Sequence, residues 1–161
     1  MSDKSYLSVY AKSFSWAGFF LPRETLRKCS LLYDFCRVAD NIADAKDEIE
    51  VKEKKFAEFE NDFNQKKFDN SIIKNMWGIM EEFEISIKIV QDLLAGIKSD
   101  IKKRVELNSK KDLLIYSYRV AGTVGLMMAK ILNVTKKNSL KSAIDLGIAM
   151  QLTNISRDVL E

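Results

Sequence analysis

Tyr33-Asp34-Phe35-Cys36-Arg37-Val38-Ala39-Asp40-Asn41-Ile42-Ala43-Asp44 is the stretch on which the fold turns. It contains neither Pro nor Gly, its apolar residues fall at Phe35, Val38, Ala39 and Ile42, and good helix formers flank it, which predicts a single α-helix. Arg37, Asp40 and Asp44 stand at i, i+3 and i+7 and share one face of that helix. Carboxylates four residues apart repel by about 0.2–0.5 kcal/mol, so an outside partner is expected to compensate them. Two readings fit the stripe alone. One is a solvated acidic face; the other is a site for a hard divalent cation such as Mg²⁺, which takes one or two carboxylates and completes its shell with water and phosphate oxygens. A second carboxylate site elsewhere in the chain would favour the cation.

The composition narrows the chemistry. With 161 residues and 47% hydrophobic content the chain is one domain by length and able to bury a core. One Pro and six Gly leave little material for turns and strands, so the expected class is all-α. The net charge of +3 comes from dispersed Lys, with no basic run flanked by stacking aromatics, so no nucleic-acid partner is expected. The same charge is compatible with an anionic ligand or a peripheral contact with a membrane surface. No His is present, which removes the usual general base, the usual zinc ligand and every His-dependent triad. Cys29 and Cys36 lie seven residues apart on the predicted helix, a rise of about 10.5 Å, too far to bridge. They read as reduced core residues of a cytoplasmic protein. The opening M-S-D-K-S-Y does not resemble a signal peptide, and no apolar run reaches the length of a membrane span.

Along the chain, residues 3–11 suit a short helix, and Pro22 suits the first turn of the long helix from about Arg23 to Ala45. Ser13 and Ser15 precede it, placed either to satisfy loop backbone or to donate to an anion. Residues 46–69 read as an amphipathic surface helix carrying Phe56, Phe59 and Phe63. Asn70 and its neighbours offer an N-cap for a helix through Phe83. A further helix spans about Ser86 to Lys103, where Gly96 permits the close approach of a partner and Asp92 and Asp100 read as solvated helix charges. Ser109-Lys-Lys-Asp112 resembles a capping box for a helix to Leu132. Within that helix, Gly122 and Gly125 thin the backbone for either tight packing or a ligand space, and Tyr116 and Tyr118 need polar partners.

The last helix is expected from Asn138, as its cap, to Glu161. Gln151, Asn154 and Asp158 again fall at i, i+3 and i+7, with Arg157 one step off the stripe. Two separate helices thus each offer carboxylate and Arg on one face of an apolar chain. Polar groups seldom gather so unless they meet something, and the cation reading now prevails.

Four segments carry a resemblance: K-S-F-S-W-A-G-F-F-L-P (12–22), L-Y-D-F-C-R-V-A-D-N-I-A-D (32–44), Y-R-V-A-G-T-V-G-L-M-M (118–128) and L-G-I-A-M-Q-L-T-N-I-S-R-D-V-L-E (146–161). In this order they resemble the squalene and phytoene synthase family, and look closest to its bacterial phytoene synthases. The resemblance implies an all-α isoprenoid synthase bundle around an apolar cavity, with two Asp-rich motifs facing each other at its mouth. It implies head-to-head condensation of two prenyl diphosphates, geranylgeranyl diphosphate giving phytoene for carotenoid biosynthesis, through a cyclopropylcarbinyl diphosphate. By the same resemblance Asp40, Asp44 and Asp158 would hold Mg²⁺ (or Mn²⁺), and Ser13, Arg37, Gln151, Asn154 and Arg157 would contact diphosphate. Tyr116 would stand at the reacting centre, and Val120, Gly122 and Leu126 would line the apolar channel. A phytoene synthase needs no NADPH; a squalene-type synthase acting on farnesyl diphosphate, or a non-catalytic assembly factor of similar sequence, are the alternatives. The implied location is cytoplasmic, peripheral to the inner face of the membrane.

Three positions depart from the family pattern. Asn41 replaces a common Asp, but it points about 100° away from the Asp40 and Asp44 face. Ala11 stands where relatives often place a Ser. The chain stops at Glu161, one residue short of the final Asp of the second motif and without the family's C-terminal helices, so the expectation is a truncated chain, inactive alone.

Overall fold

The computed structural model describes residues 20–102 and 107–158. Among them every element is helical and no strand occurs: α1 (Arg23–Ala43), α2 (Ile49–Asn64), α3 (Ser71–Glu82), α4 (Ile87–Ser99), α5 (Lys110–Ser117), a π-helical turn (Tyr118–Gly122), α6 (Thr123–Ile131) and α7 (Lys137–Asp158). The all-α expectation holds. The suggested helix at 3–11 and the positions Ala11, Ser13 and Ser15 lie outside the described residues.

Helix α1 is the spine. Its residues Cys29, Leu32, Phe35, Ala39 and Ala43 recur at three- and four-residue steps and are all buried. Phe35 meets the rings of Phe59 and Phe63 at centroid distances of 5.5 and 5.4 Å, and Phe63 stacks on Trp77 at 5.3 Å. Each such ring taken from water contributes about 1.5–3 kcal/mol, so this aromatic row ties α2 and α3 to α1. The Trp77 Nε1–H donates to the Phe63 carbonyl at 2.9 Å, which satisfies the indole and a carbonyl of the last turn of α2. Lys52 Nζ donates to the Ala43 carbonyl at 2.9 Å, a cation placed at the negative end of α1.

The caps follow local sequence. The Asn70 side chain accepts from the Ile72 and Ile73 N–H groups at 3.0 and 3.4 Å. Ser109 Oγ accepts from the Asp112 N–H at 3.1 Å and donates to the Asp112 carboxylate at 2.7 Å, a variant of the capping box with the shorter acid. Asn138 differs from expectation. The first bond of α7 runs from the Leu140 N–H to the Lys136 carbonyl, so the helix starts at Lys137 and Asn138 lies inside its first turn.

The expected single helix from 110 to 132 is interrupted. The Thr123 N–H bonds to the Tyr118 carbonyl, an i to i−5 closure that makes Tyr118–Gly122 a π turn. Here α4 crosses: a Cβ on Gly96 would stand 2.7 Å from the Arg119 Cβ and 2.9 Å from Val120 Cγ1. Gly96 therefore does permit a close approach, and its partner is this turn. Beyond it α6 and α7 touch backbone to backbone. A Cβ on Gly125 would come 2.3 Å from the Ala143 carbonyl oxygen, and one on Gly147 would come 2.4 Å from that of Ala121.

Candidate active site

Two helix C-termini bring carboxylates together. Helix α1 ends with Asp40 in its last turn and Asp44 as its C-cap, the Asp44 N–H bonding to the Asp40 carbonyl at 2.8 Å. Helix α4 ends with Asp100 as its C-cap. Negative charge at a helix C-terminus opposes the macrodipole, so all three sit where the backbone itself disfavours them.

The electrostatics show that the three carboxylates feel one another. Burial, then the charge of Asp44, pushes the Asp40 carboxyl up to about 6; Arg37 pulls it back in part and Asp100 adds a further push. Burial also raises Asp100, opposed by the nearby Tyr116 hydroxyl and reinforced by the charge of Asp44. Tyr116 in turn is raised by burial, by the nearby Asp100, and by the charges of Asp40 and Asp44. Asp100 is thus not the solvated helix charge that its local sequence suggests. It is half-buried, and its Oδ1 has no hydrogen-bond partner in the structure. Asp92, by contrast, pairs with Lys88 on its own helix at 2.5 Å, as a helix charge does. Sequence spacing could not reveal Asp100, because its neighbours are 56 to 60 positions back in the chain and 16 ahead.

Asp40 and Asp44 are a pair of carboxylates that could contribute to a cation site. Among the described residues no group of three or more His, Cys, Asp or Glu side chains is placed so that it could hold a metal ion. A hard divalent cation that takes one or two carboxylates and fills its remaining positions with water and phosphate oxygens fits this donor set, and Asp40 and Asp44 are the residues that would hold it. Asp158 closes α7, but its side chain lies outside the described part of the structure. Cys36, one turn before Asp40, has its thiol pushed up to about 12 by burial and by Asp40, which makes it inert. Both cysteines are unbridged.

An apolar groove of about 420 Å³ lies between α6 and α7 and extends along the π turn. Val120, Ala121, Val124, Gly125, Met128 and Leu132 line one wall and Ala143, Leu146, Gly147 and Met150 the other. Gln151 and Asn154 supply its polar end. Of the two glycines whose role the sequence left open, Gly125 serves both: it meets the Ala143 backbone and, with Gly147, lines the groove. Val120 belongs to the lining. Gly122 does not, since its α-carbon is buried against Tyr118, Ile144 and Ile148, and Leu126 also lies outside the lining. Arg157 is exposed one turn beyond Asn154. Tyr116 feels the charges of these carboxylates, and Val120, four residues on, lines the groove.

The same architecture occurs in known proteins. Residues 7–161 match the family described as squalene/phytoene synthase. The chain is 30% identical to the 15-cis-phytoene synthase of Pantoea ananas, an alignment covering 96% of this chain and 54% of that protein. It is 34% identical to the phytoene synthase of Cereibacter sphaeroides (91% and 44% covered) and 32% identical to the chloroplastic phytoene synthase 1 of Solanum lycopersicum (94% and 39%). A crystal structure of a dehydrosqualene synthase in complex with ligand shares its fold, with a TM-score of 0.72 and 30% identity over 92% of this chain and 52% of that one. The chain spans about half the length of the curated relatives it matches. On this evidence of motif, fold and sequence, the chain belongs to the squalene/phytoene synthase family.

Proposed function

We propose that this chain carries the diphosphate-ionising half of a phytoene synthase, which joins two geranylgeranyl diphosphates head to head into phytoene for carotenoid biosynthesis. The reading is supported by an apolar groove whose polar end carries Gln151 and Asn154, together with the paired carboxylates of Asp40 and Asp44 at the end of α1. Bound Mg²⁺ (or Mn²⁺) would neutralise the diphosphate leaving group.

The chain's own residues do the rest. Asp40 and Asp44, with Asp158 from the second motif, hold the cation; Arg37 and Arg157 bring positive charge to the diphosphate, and Ser13, Gln151 and Asn154 supply polar contacts. The groove takes the prenyl chain and keeps water from a carbocation that would otherwise be captured. Tyr116 sets a phenol oxygen beside the reacting carbons as the cyclopropylcarbinyl diphosphate forms and ionises again. The reaction ends in proton loss, with no need for NADPH. None of these roles requires a strong base, which accords with a sequence free of His. A location at the inner face of the cytoplasmic membrane accords with lipid substrates; no described helix is long and apolar enough to cross a bilayer.

A squalene-type reaction on farnesyl diphosphate is the second reading, supported by the likeness to a dehydrosqualene synthase. The test is incubation with geranylgeranyl or farnesyl diphosphate and Mg²⁺, with and without NADPH, followed by product identification. It uses both the 161-residue chain and the same chain extended by the C-terminal part of a phytoene synthase relative. Phytoene from the extended chain without NADPH is the expected result; a C30 product only, or no turnover with either substrate, overturns it.

A further inference from the structure

Two buried hydroxyls flank the π turn, and only one of them is bonded. Ser117, the residue before the turn, and Thr123, the residue after it, are both fully buried. Ser117 Oγ has no hydrogen-bond partner. Thr123 Oγ1 donates to the Arg119 carbonyl at 2.7 Å, while the Thr123 N–H goes one residue further back, to the Tyr118 carbonyl. In an α-helix the Arg119 carbonyl is the one that the Thr123 N–H itself would reach. The side chain thus takes the place that its own backbone gives up, and a carbonyl that the wider turn would leave bare is satisfied. Val has the shape of Thr but no donor. With Val at 123 the π register leaves that acceptor unmatched, and the α register becomes the better arrangement.

The register matters because a π turn holds one residue more than the α-helical path it replaces. Reverting it would rotate everything before the turn by about 100° around the helix axis relative to everything after it. After it comes α6, held on α7 by the backbone contact at Gly125. Before it comes α5, which carries Tyr116. The turn itself is pressed from two sides, by Gly96 of α4 against Arg119 and Val120 and by Ile144 and Ile148 of α7 against Gly122.

We propose that Thr123 is a positioning residue: its hydroxyl latches the π turn and so fixes the rotation of Tyr116 on α5 relative to the groove wall on α6. This rests on the reading of Tyr116 as the group at the reacting centre and of the groove as the seat of the prenyl chain. An unlatched turn keeps the groove wall, since Val124, Gly125 and Met128 lie after it, and displaces the phenol. Binding and chemistry therefore separate.

The test has a structural arm and a kinetic arm. In the 161-residue chain labelled with ¹⁵N and ¹³C, the scalar coupling across the hydrogen bond should join the Thr123 amide nitrogen to the Tyr118 carbonyl carbon. The same coupling should persist in Thr123→Ser, which keeps the hydroxyl, and in Ser117→Ala, which removes an unbonded one. In Thr123→Val it should move to the Arg119 carbonyl. In the extended chain, Thr123→Val should lower kcat by roughly 10²-fold, the scale of loss for a misplaced reacting group, with KM little changed. Thr123→Ser should recover most of it, and Thr123→Val should cost less than about twofold when added to Tyr116→Phe, since residues that act through one another are not additive. A coupling to Arg119 in the wild-type chain, a Tyr118 coupling retained in Thr123→Val, or a Thr123→Ser variant no more active than Thr123→Val would overturn the proposal. The wild-type and Thr123→Ser measurements decide it even where Thr123→Val does not fold. If Tyr116→Phe keeps full turnover, the assigned role of Tyr116 falls while the couplings still judge the latch, so the two failures read differently.

Discussion

Gly125 of α6 faces the Ala143 carbonyl of α7 so closely that a Cβ would come within 2.3 Å of the oxygen. The contact is with backbone, which cannot step aside as a side-chain tip can. Gly125→Ala should therefore force α6 and α7 apart and destabilise the protein by about 1–3 kcal/mol, read as a lower thermal midpoint. Gly78 is the control: it is exposed on α3 with nothing within 4 Å of an added Cβ, so Gly78→Ala should stabilise by about 0.5–1 kcal/mol through helix propensity. Equal effects at the two sites would refute the packing account.

The raised Asp40 carboxyl predicts a pH dependence. Its value moves from 3.8 to about 6 on folding, so between those values the folded state binds more protons than the unfolded one. Stability of the metal-free protein should then fall as pH rises from about 4 to about 6, by on the order of 2 kcal/mol, with Asp100 contributing in the same direction. Thermal midpoints measured across this window check the sign. Asp40→Asn should flatten the slope.

Added Mg²⁺ should reverse that trend. Protons and cation compete for the same carboxylates, so 10 mM-scale Mg²⁺ (on the order of that concentration) should raise the midpoint at pH 7.5 and have little effect at pH 5. A stabilisation independent of pH, or equally present in Asp40→Asn, would locate the ion elsewhere.

Asp40→Asn should separate activity from stability. In the extended chain it should lower turnover by at least about 10²-fold, because leaving-group neutralisation weakens, while the midpoint without metal stays equal or rises as a disfavoured charge is removed. Near-normal turnover would remove Asp40 from the metal site.

Leu146 and Met150 form the open lip of the groove, 63% and 53% exposed. With Leu132 they give an apolar patch of the kind that drives association. The 161-residue chain should sediment as more than a monomer, and Leu146→Glu with Met150→Lys should shift it toward monomer without lowering the thermal midpoint by more than about 1 kcal/mol. A wild-type chain that is monomeric at micromolar concentration would show that the patch is tolerated.

What the sequence determined by itself was whatever depends on neighbours within a turn or two. The α-helix through Phe35 and Ala39, the Asn70 and Ser109 caps and the buried phenylalanines of α2 are written in three- and four-residue spacing, because backbone geometry converts that spacing into a common face, and a glycine inside a helix marked the close approach at Gly96. The carboxylate pair of α1 was legible for the same reason. Only the tertiary structure decided which residues meet across helices. Asp100 has the local setting of a surface charge and became part of the acidic cluster because Gly96 lets α4 settle against the π turn. The π turn itself replaces what periodicity reads as one unbroken helix, and Gly122, which the family resemblance sets along the channel, packs against Tyr118, Ile144 and Ile148. Helical periodicity specifies which face is apolar, but the register and separation of two helices are set by contacts between residues far apart in the chain, and those decide which side chains meet.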